Sequence, residues 1–275
     1  MNSGSDSDML IPPLPERPLG RSSWQVFLGS MRAFLLREMM NQFGRSRLGY
    51  VWALAEPAAT VAVLAGLHAV IRGGHHELYG ESPIVFFVFG AVPYFLYANV
   101  VAAAQGVCNS QKGLFNYRHI KPIDVILARG AIDGLMMVGV AMVFLAGWWW
   151  LGHSLPLSDP LQLVWALFSL LVLGFSVGLV FEVFGTIFPD LRKVISMLTR
   201  PMFFISGVFF TIDMMPAGLR EVLIWNPVLH GVDLTRGAVL PEYDSPASWF
   251  YLWGFILVAQ FIGLAAYRRY LYRLI

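Results

Sequence analysis

The residues of this chain best suited to touching something other than lipid lie in Lys112–Arg129, KGLFNYRHIKPIDVILAR. Lys112, Arg118, Lys121 and Arg129 supply cations, Phe115 and Tyr117 supply rings, and Pro122 breaks or starts a helix. This is the chemistry of non-covalent contact. A polar, part-aromatic segment between two apolar runs sits in water or against a partner. It reads as a cytoplasmic element through which another protein acts on this one. A solvated loop that only orients the flanking helices carries the same charge.

Bond-making chemistry is harder to find. The lysines are Lys112, Lys121 and Lys193, and none precedes Ser or Thr, so no GxxxxGK[ST] phosphate loop is present. His75 and His76 are adjacent, without a Cys or a second His pair at ligand spacing, so no metal site is expected. HExxH does not occur, and GxSxG occurs as GFSVG (Gly174–Gly178) inside a continuous apolar run, without the strand-to-helix turn that a nucleophile elbow needs. With no nucleophile–base pair in view, no enzymatic activity of the chain's own is expected. The lone cysteine, Cys108, rules out an intrachain disulfide.

Three carboxylates fall inside apolar runs. Glu56 lies near the start of the first, just before Pro57, whereas Asp133 and Glu182 lie within later ones. A carboxylate at the bilayer centre costs about 2.5–3.5 kcal/mol on insertion scales, so each should face protein or water. Glu56 has two open readings: a gate or helix-holding contact, and an ion pair with Arg45, Arg47 or a neighbouring helix. Aromatic residues make up 15% of the chain. Phe86, Phe89 and Tyr97 share a helical stripe with Pro93, and Tyr94 lies beside it. Tyr50 and Trp52 open the first apolar run, and Phe203, Phe204, Phe209 and Phe210 crowd a later one. Trp148–Trp150 reads as an interfacial belt. The stripes pack helices or line a path for sugars, whose C–H faces stack on flat rings. Periodicity does not choose between the two.

The elements that must position these residues follow from composition. The chain of 275 residues is 57% hydrophobic and 13% charged, with mean hydropathy +0.63. Soluble domains carry about 25% charged residues, so this is an all-α integral membrane protein. Residues 1–23, rich in Ser, Asp and Pro, form a disordered cytoplasmic tail in this reading. Asp6 and Asp8 without a basic n-region argue against a cleavable signal peptide. Residues 24–44 repeat apolar groups at helical spacing around Arg32, Arg37 and Asn41, which predicts an amphipathic interface helix. Runs near 51–71, 84–108, 124–151, 161–188, 194–212 and 249–267 can each cross a hydrocarbon core that takes roughly 20 helical residues. Between 213 and 240, two half-apolar stretches broken by Pro216, Asn226-Pro227 and Pro241 predict short re-entrant outer helices. A plain outer loop is the alternative.

With both termini inside, 16 of the 19 Lys and Arg fall on the inner side, including the short C-terminus at 269–275. Arg72, Arg220 and Arg236 fall outside. The positive-inside rule therefore sets the orientation. The net charge of +2 by itself says little.

The order of interface helix, six spans, basic aromatic loop and outer helices resembles the permease subunit of ABC-2-type exporters. Local wording sharpens the likeness to the capsular polysaccharide exporters. The stretches are Phe43–Pro57 (FGRSRLGYVWALAEP), Gly113–Arg129 (GLFNYRHIKPIDVILAR), Phe188–Val194 (FPDLRKV) and Leu223–Arg236 (LIWNPVLHGVDLTR). The resemblance spans residues 24–268 and implies an inner-membrane homodimer with two copies of a separate cytoplasmic ATPase. It also implies export of lipid-linked capsular polysaccharide and docking to periplasmic and outer-membrane export proteins. ATP and Mg would sit on the partner, with no cofactor in this chain and no nucleic-acid partner. An O-antigen exporter has the same plan. An enzyme acting on polyprenyl-linked sugars and a membrane scaffold are the readings from other classes.

On that footing the expected ATPase contact comprises Asn116, Tyr117, Arg118, His119, Lys121 and Asp124, with Arg37 and Arg45 beside it. The expected substrate path runs past Tyr50, Trp52, Glu56, Phe86, Phe89, Tyr94, Tyr97 and Phe204, on the first, second and fifth spans.

Overall fold

The computed structural model describes residues 29, 32, 35–37, 39–40, 49–71, 78–110, 121–154 and 157–274, with the backbone only at 49–54, 56, 273 and 274. Among these residues every regular element is a helix, and a single bridge between Leu78 and Glu81 closes a turn. The helices are α1 (Gly49–Ile71), α2 (Pro83–Ala104), α3 (Val107–Ser110), α4 (Pro122–Trp150), α5 (Pro160–Ile187), α6 (Pro189–Ile205), α7 (Ala217–Leu223), α8 (Pro227–Gly237) and α9 (Trp249–Leu274). The described residues between 29 and 40 are helical as well.

Five helices begin at a proline, whose missing N–H is no loss in the first turn and whose fixed φ suits a helix start. Side chains complete several of these starts. Asp159 accepts from the N–H groups of Leu161 and Gln162, both at 3.0 Å. Asn226 accepts from Val228 N–H at 3.0 Å, which places the break between α7 and α8 at Asn226-Pro227.

Among the described residues, four helices are long and apolar enough to cross a membrane: α2, α4, α5 and the Trp249–Tyr272 part of α9. The expected fifth span near 194–212 takes a different shape. Its helix, α6, starts earlier, at Pro189, and carries Asp190, Arg192, Lys193 and Arg200. It ends at Ile205, where Gly207 turns the chain with φ +79° and a 3-10 turn follows at Ile212–Met214. Polarity is concentrated in its first turns, so hydropathy alone sets the boundary too late.

α2 is the central helix, packed on α1, α4, α5 and α8, and α5 is held between α2 and α9. The α2–α5 approach depends on Gly174 and Gly178. A Cβ on Gly174 would lie 2.9 Å from Val100 Cβ, and one on Gly178 would lie 2.8 Å from Ala104 Cβ. Small residues four apart let membrane helices approach closely. One core surrounds α2. A second, at the far end of the bundle, joins Val107, Val125, Leu179, Val183 and Ala266, and Leu35 of the N-terminal helical segment packs against it.

Candidate functional site

Eight aromatic side chains, counting His68, form one chain of rings across α1, α2, α6 and the loop after α6. His68 of α1 meets Phe87 of α2 at 5.3 Å between centroids, and Phe87 meets Phe209 at 5.4 Å. Phe209 stacks on Phe204 at 5.6 Å and meets Phe203 edge-on at 5.3 Å. Phe203 continues to Phe95 and Tyr94 at 5.5 and 5.2 Å. On the other side His68 stacks on Phe86 at 6.0 Å. The Tyr94 hydroxyl also donates to the Thr199 carbonyl at 2.9 Å, which ties the middle of α2 to α6. Of these rings Phe204 is 61% exposed, whereas Phe86, Phe87 and Tyr94 are buried.

The expected path residues therefore separate. Tyr94 and Phe204 join through Phe203. Phe86 reaches the same chain through His68 but is fully buried. Phe89 faces α4, in a crevice with Phe144, Leu145 and Trp148. Tyr97 lines an apolar cavity of about 330 Å³ with Phe181, Met202, Phe255 and Ile262. The face of α2 that meets α6 and the loop after it carries Phe87, Tyr94 and Phe95, adjacent to the stripe the spacing picks out. Tyr50, Trp52 and Glu56 have side chains outside the described residues.

The sequence gives no warning of the polar anchor in α8, which is buried from Val228 to Arg236. Arg236, fully buried, sets its guanidinium 4.0 Å over the Phe86 ring. Its Nε donates to Phe86 O at 3.3 Å, Nη2 to Val208 O at 2.6 Å, and Nη1 to Phe210 O at 2.6 Å and to Gly207 O. One side chain thus fastens the loop after α6 to the first turn of α2. Gly90 makes room for it, since a Cβ there would collide with the guanidinium. One turn earlier, Asp233 accepts from the Tyr243 hydroxyl, from Ser245 Oγ at 2.6 Å and from Ile212 N–H at 3.3 Å. Burial pushes the Asp233 carboxyl up despite these donors. Tyr79, at φ +53°, meets Tyr243 with tilted rings 4.7 Å apart and shares a 3.1 Å hydrogen bond with Thr211. His230 has both nitrogens engaged. Nδ1 accepts from Ser248 N–H at 3.0 Å, which leaves Nε2–H to donate to Ile224 O at 2.8 Å. Burial lowers its pKa from the usual 6.5.

At the other end of the bundle, Lys121 is exposed and Asp124 half-buried. Lys121 N–H donates to Asp124 Oδ2 at 3.2 Å, and Asp124 N–H returns to Lys121 O at 3.0 Å, forming the start of α4. Arg37 is exposed on the N-terminal helical segment. Asn116, Tyr117, Arg118, His119 and Arg45 lie outside the described residues. Glu182, expected to face protein, is fully buried and paired with Arg192 at 3.3 Å. Asp133 is half-buried. Among the described residues no cluster of three His, Cys, Asp or Glu side chains comes together to hold a metal. The arrangement offers ring faces beside a loop anchored by buried polar contacts.

A protein-family model described as ABC-2 type transporter matches residues 30–240. The polysialic acid transport protein KpsM of Escherichia coli is 38% identical over 251 residues, covering 91% of this chain and 96% of that protein. The capsule polysaccharide export inner-membrane protein CtrC of Neisseria meningitidis serogroup A is 26% identical over 248 residues, covering 86% of this chain and 89% of CtrC. The O-antigen export system permease protein RfbA of Klebsiella pneumoniae is 23% identical over 252 residues, covering 86% and 90% respectively.

Proposed function

The chain belongs to the ABC-2 type transporter family, and from that premise we propose that it is the membrane permease subunit of an ATP-driven exporter of lipid-linked capsular polysaccharide. The observation that carries the substrate class is the 38% identity to KpsM across 96% of that protein's length. KpsM, named for polysialic acid transport, stands at 38% identity and the O-antigen permease RfbA at 23%, which favours the KpsM type of glycan between two handled by the same plan.

In this reading the chain is an inner-membrane protein with six spans: α1, α2, α4, α5, α6 and α9. Both termini are cytoplasmic. Two copies pair, and each binds one cytoplasmic ATPase subunit that carries ATP and Mg. The basic segment 112–129 and the N-terminal helical segment receive the ATPase. Helices α1, α2 and α6, which the ring chain already brings together, line the path. Conduction of a long polymer needs binding that is weak and repeated, and exposed rings such as Phe204 supply it.

Deletion of the gene in its own bacterium, with glycan mapped by fraction, tests the reading. Lipid-linked capsular polymer should pile up inside and vanish from the surface. Loss of O-antigen with intact capsule would move the assignment to the other glycan. An unchanged distribution of both would remove the transport reading.

A further inference from the structure

Three parts of the chain meet at one carboxylate. α2 ends at Ala104, Gly106 turns the backbone with φ +78°, and α3 leads into the stretch 111–121. Glu182, near the end of α5, accepts from Gly106 N–H at 2.6 Å and from Cys108 N–H at 2.7 Å. Arg192, in the first turns of α6, donates through Nη2 to Glu182 Oε2 at 3.3 Å and to Thr186 Oγ1 at 2.8 Å. Gly185 lets the arginine lie flat on α5, because a Cβ there would sit 2.8 Å from Arg192 Cγ.

A turn of two N–H groups can be capped by any neutral acceptor. A buried carboxylate is a poor way to gain stability, because desolvation offsets its attraction to a partner. What the charge adds is a directed link to Arg192. That link matters because α6 is loosely held: of its 17 residues only Ile195 is buried. Among the described residues its polar fixed points are the Glu182–Arg192 pair at one end, the Tyr94–Thr199 hydrogen bond further along and the Asn226 amide on Ile205 O at the other end. Between them runs a rod that ends in Phe203 and Phe204, the rings of the proposed path.

We infer that Glu182 is a positioning residue of the coupling machinery, joining the turn at Gly106 and α3 to α6 so that displacement of α3 moves the path helix. The inference rests on the transport reading for its consequence. The joint itself is a claim about this chain alone.

The test uses the full exporter, chain and ATPase together, with Glu182→Gln and Arg192→Gln. Both variants should accumulate and copurify like the wild type and hydrolyse ATP within about twofold of it, while polymer moved per ATP falls about tenfold, a coupling effect of the size expected along such a network. A second readout does not depend on transport. Spin labels at Ser110→Cys and Ser196→Cys, both exposed positions, should hold one narrow separation with and without ATP in the wild type, and the distribution should broaden in Glu182→Gln. Cys108 is buried and need not be changed. If Glu182→Gln fails to accumulate, Arg192→Gln decides, since it leaves both N–H bonds to the carboxylate in place. An unchanged polymer-to-ATP ratio overturns the inference. So do losses of export and hydrolysis that merely follow abundance, or label separations that ignore the variant. A wild-type complex that hydrolyses ATP and moves no polymer would count against the transport reading, and the labels would still decide the joint.

Discussion

Arg236 and Phe86 are locked together twice: the guanidinium lies 4.0 Å over the ring, and its Nε donates to the Phe86 carbonyl at 3.3 Å. The same side chain holds the carbonyls of Gly207, Val208 and Phe210. Cation–π and charge-assisted hydrogen bonds are strongest where water is excluded, and here both sides are buried.

Arg236→Met should therefore leave several buried carbonyls without a donor. At roughly 1–3 kcal/mol for each unsatisfied group, the loss should reach about 3 kcal/mol or more. Arg236→Lys should recover part of it, because an ammonium keeps the charge with fewer donors and no planar fork. Thermal unfolding in detergent, with membrane abundance beside it, checks the order wild type, Lys, Met.

The ring chain makes a separate prediction for path against packing. Phe86→Ala should cost about 3–5 kcal/mol as a buried aromatic truncation, and surface polysaccharide should fall only as far as protein level falls. Phe204, 61% exposed, should tolerate alanine in abundance while export slows. Equal export per molecule in Phe204→Ala would take that ring out of the path.

Acidification should loosen α8 from α9. His230 is held neutral by burial, so its folded pKa lies below the ordinary 6.5. Its contribution is fully present above that ordinary value. It declines as pH falls from there toward the folded pKa, because the unfolded chain takes up a proton that the buried Nδ1, already bonded to Ser248 N–H, resists. Asp233 runs the other way: its raised pKa favours the folded state at low pH, and that contribution is lost as pH rises through the folded value. The difference between wild type and His230→Gln, followed as unfolding temperature against pH, isolates the histidine. Parallel profiles would contradict its role.

The segment 112–129 predicts a loss of coupling. Arg118→Glu combined with Lys121→Glu should leave insertion intact and uncouple ATP hydrolysis from export, because charge reversal at a contact of this kind opposes the partner's matching charges. Normal polymer export in the double variant, measured with ATPase copurification, would exclude these residues from the contact.

Much of this architecture is legible in local chemistry. The Pro-initiated helices, the break at Asn226-Pro227 and the pair of short helices around it follow from backbone rules that act within a few residues. Glu182 could be expected to face protein from solvation cost alone. Its partners could not, because Gly106, Cys108 and Arg192 meet it only through the fold. Arg236 was harder still. In a half-apolar stretch it counts as an outer-loop charge, whereas its burial depends on four carbonyls that no sequence pattern displays. The α2 stripe at Phe86, Phe89 and Tyr97 has correct helical spacing, but spacing does not say which neighbour a face meets. α6 and the loop after it take the adjacent face, at Phe87, Tyr94 and Phe95.

The most direct test of the central claim is reconstitution. The chain and its ATPase subunit are placed in liposomes with the ATP sites outward, labelled lipid-linked capsular polymer is supplied in the outer leaflet, and polymer reaching the lumen is measured after Mg-ATP is added. The account predicts lumenal polymer that requires both subunits and hydrolysable ATP. Active hydrolysis with no polymer in the lumen, or delivery by the chain in the absence of ATPase and ATP, would contradict it.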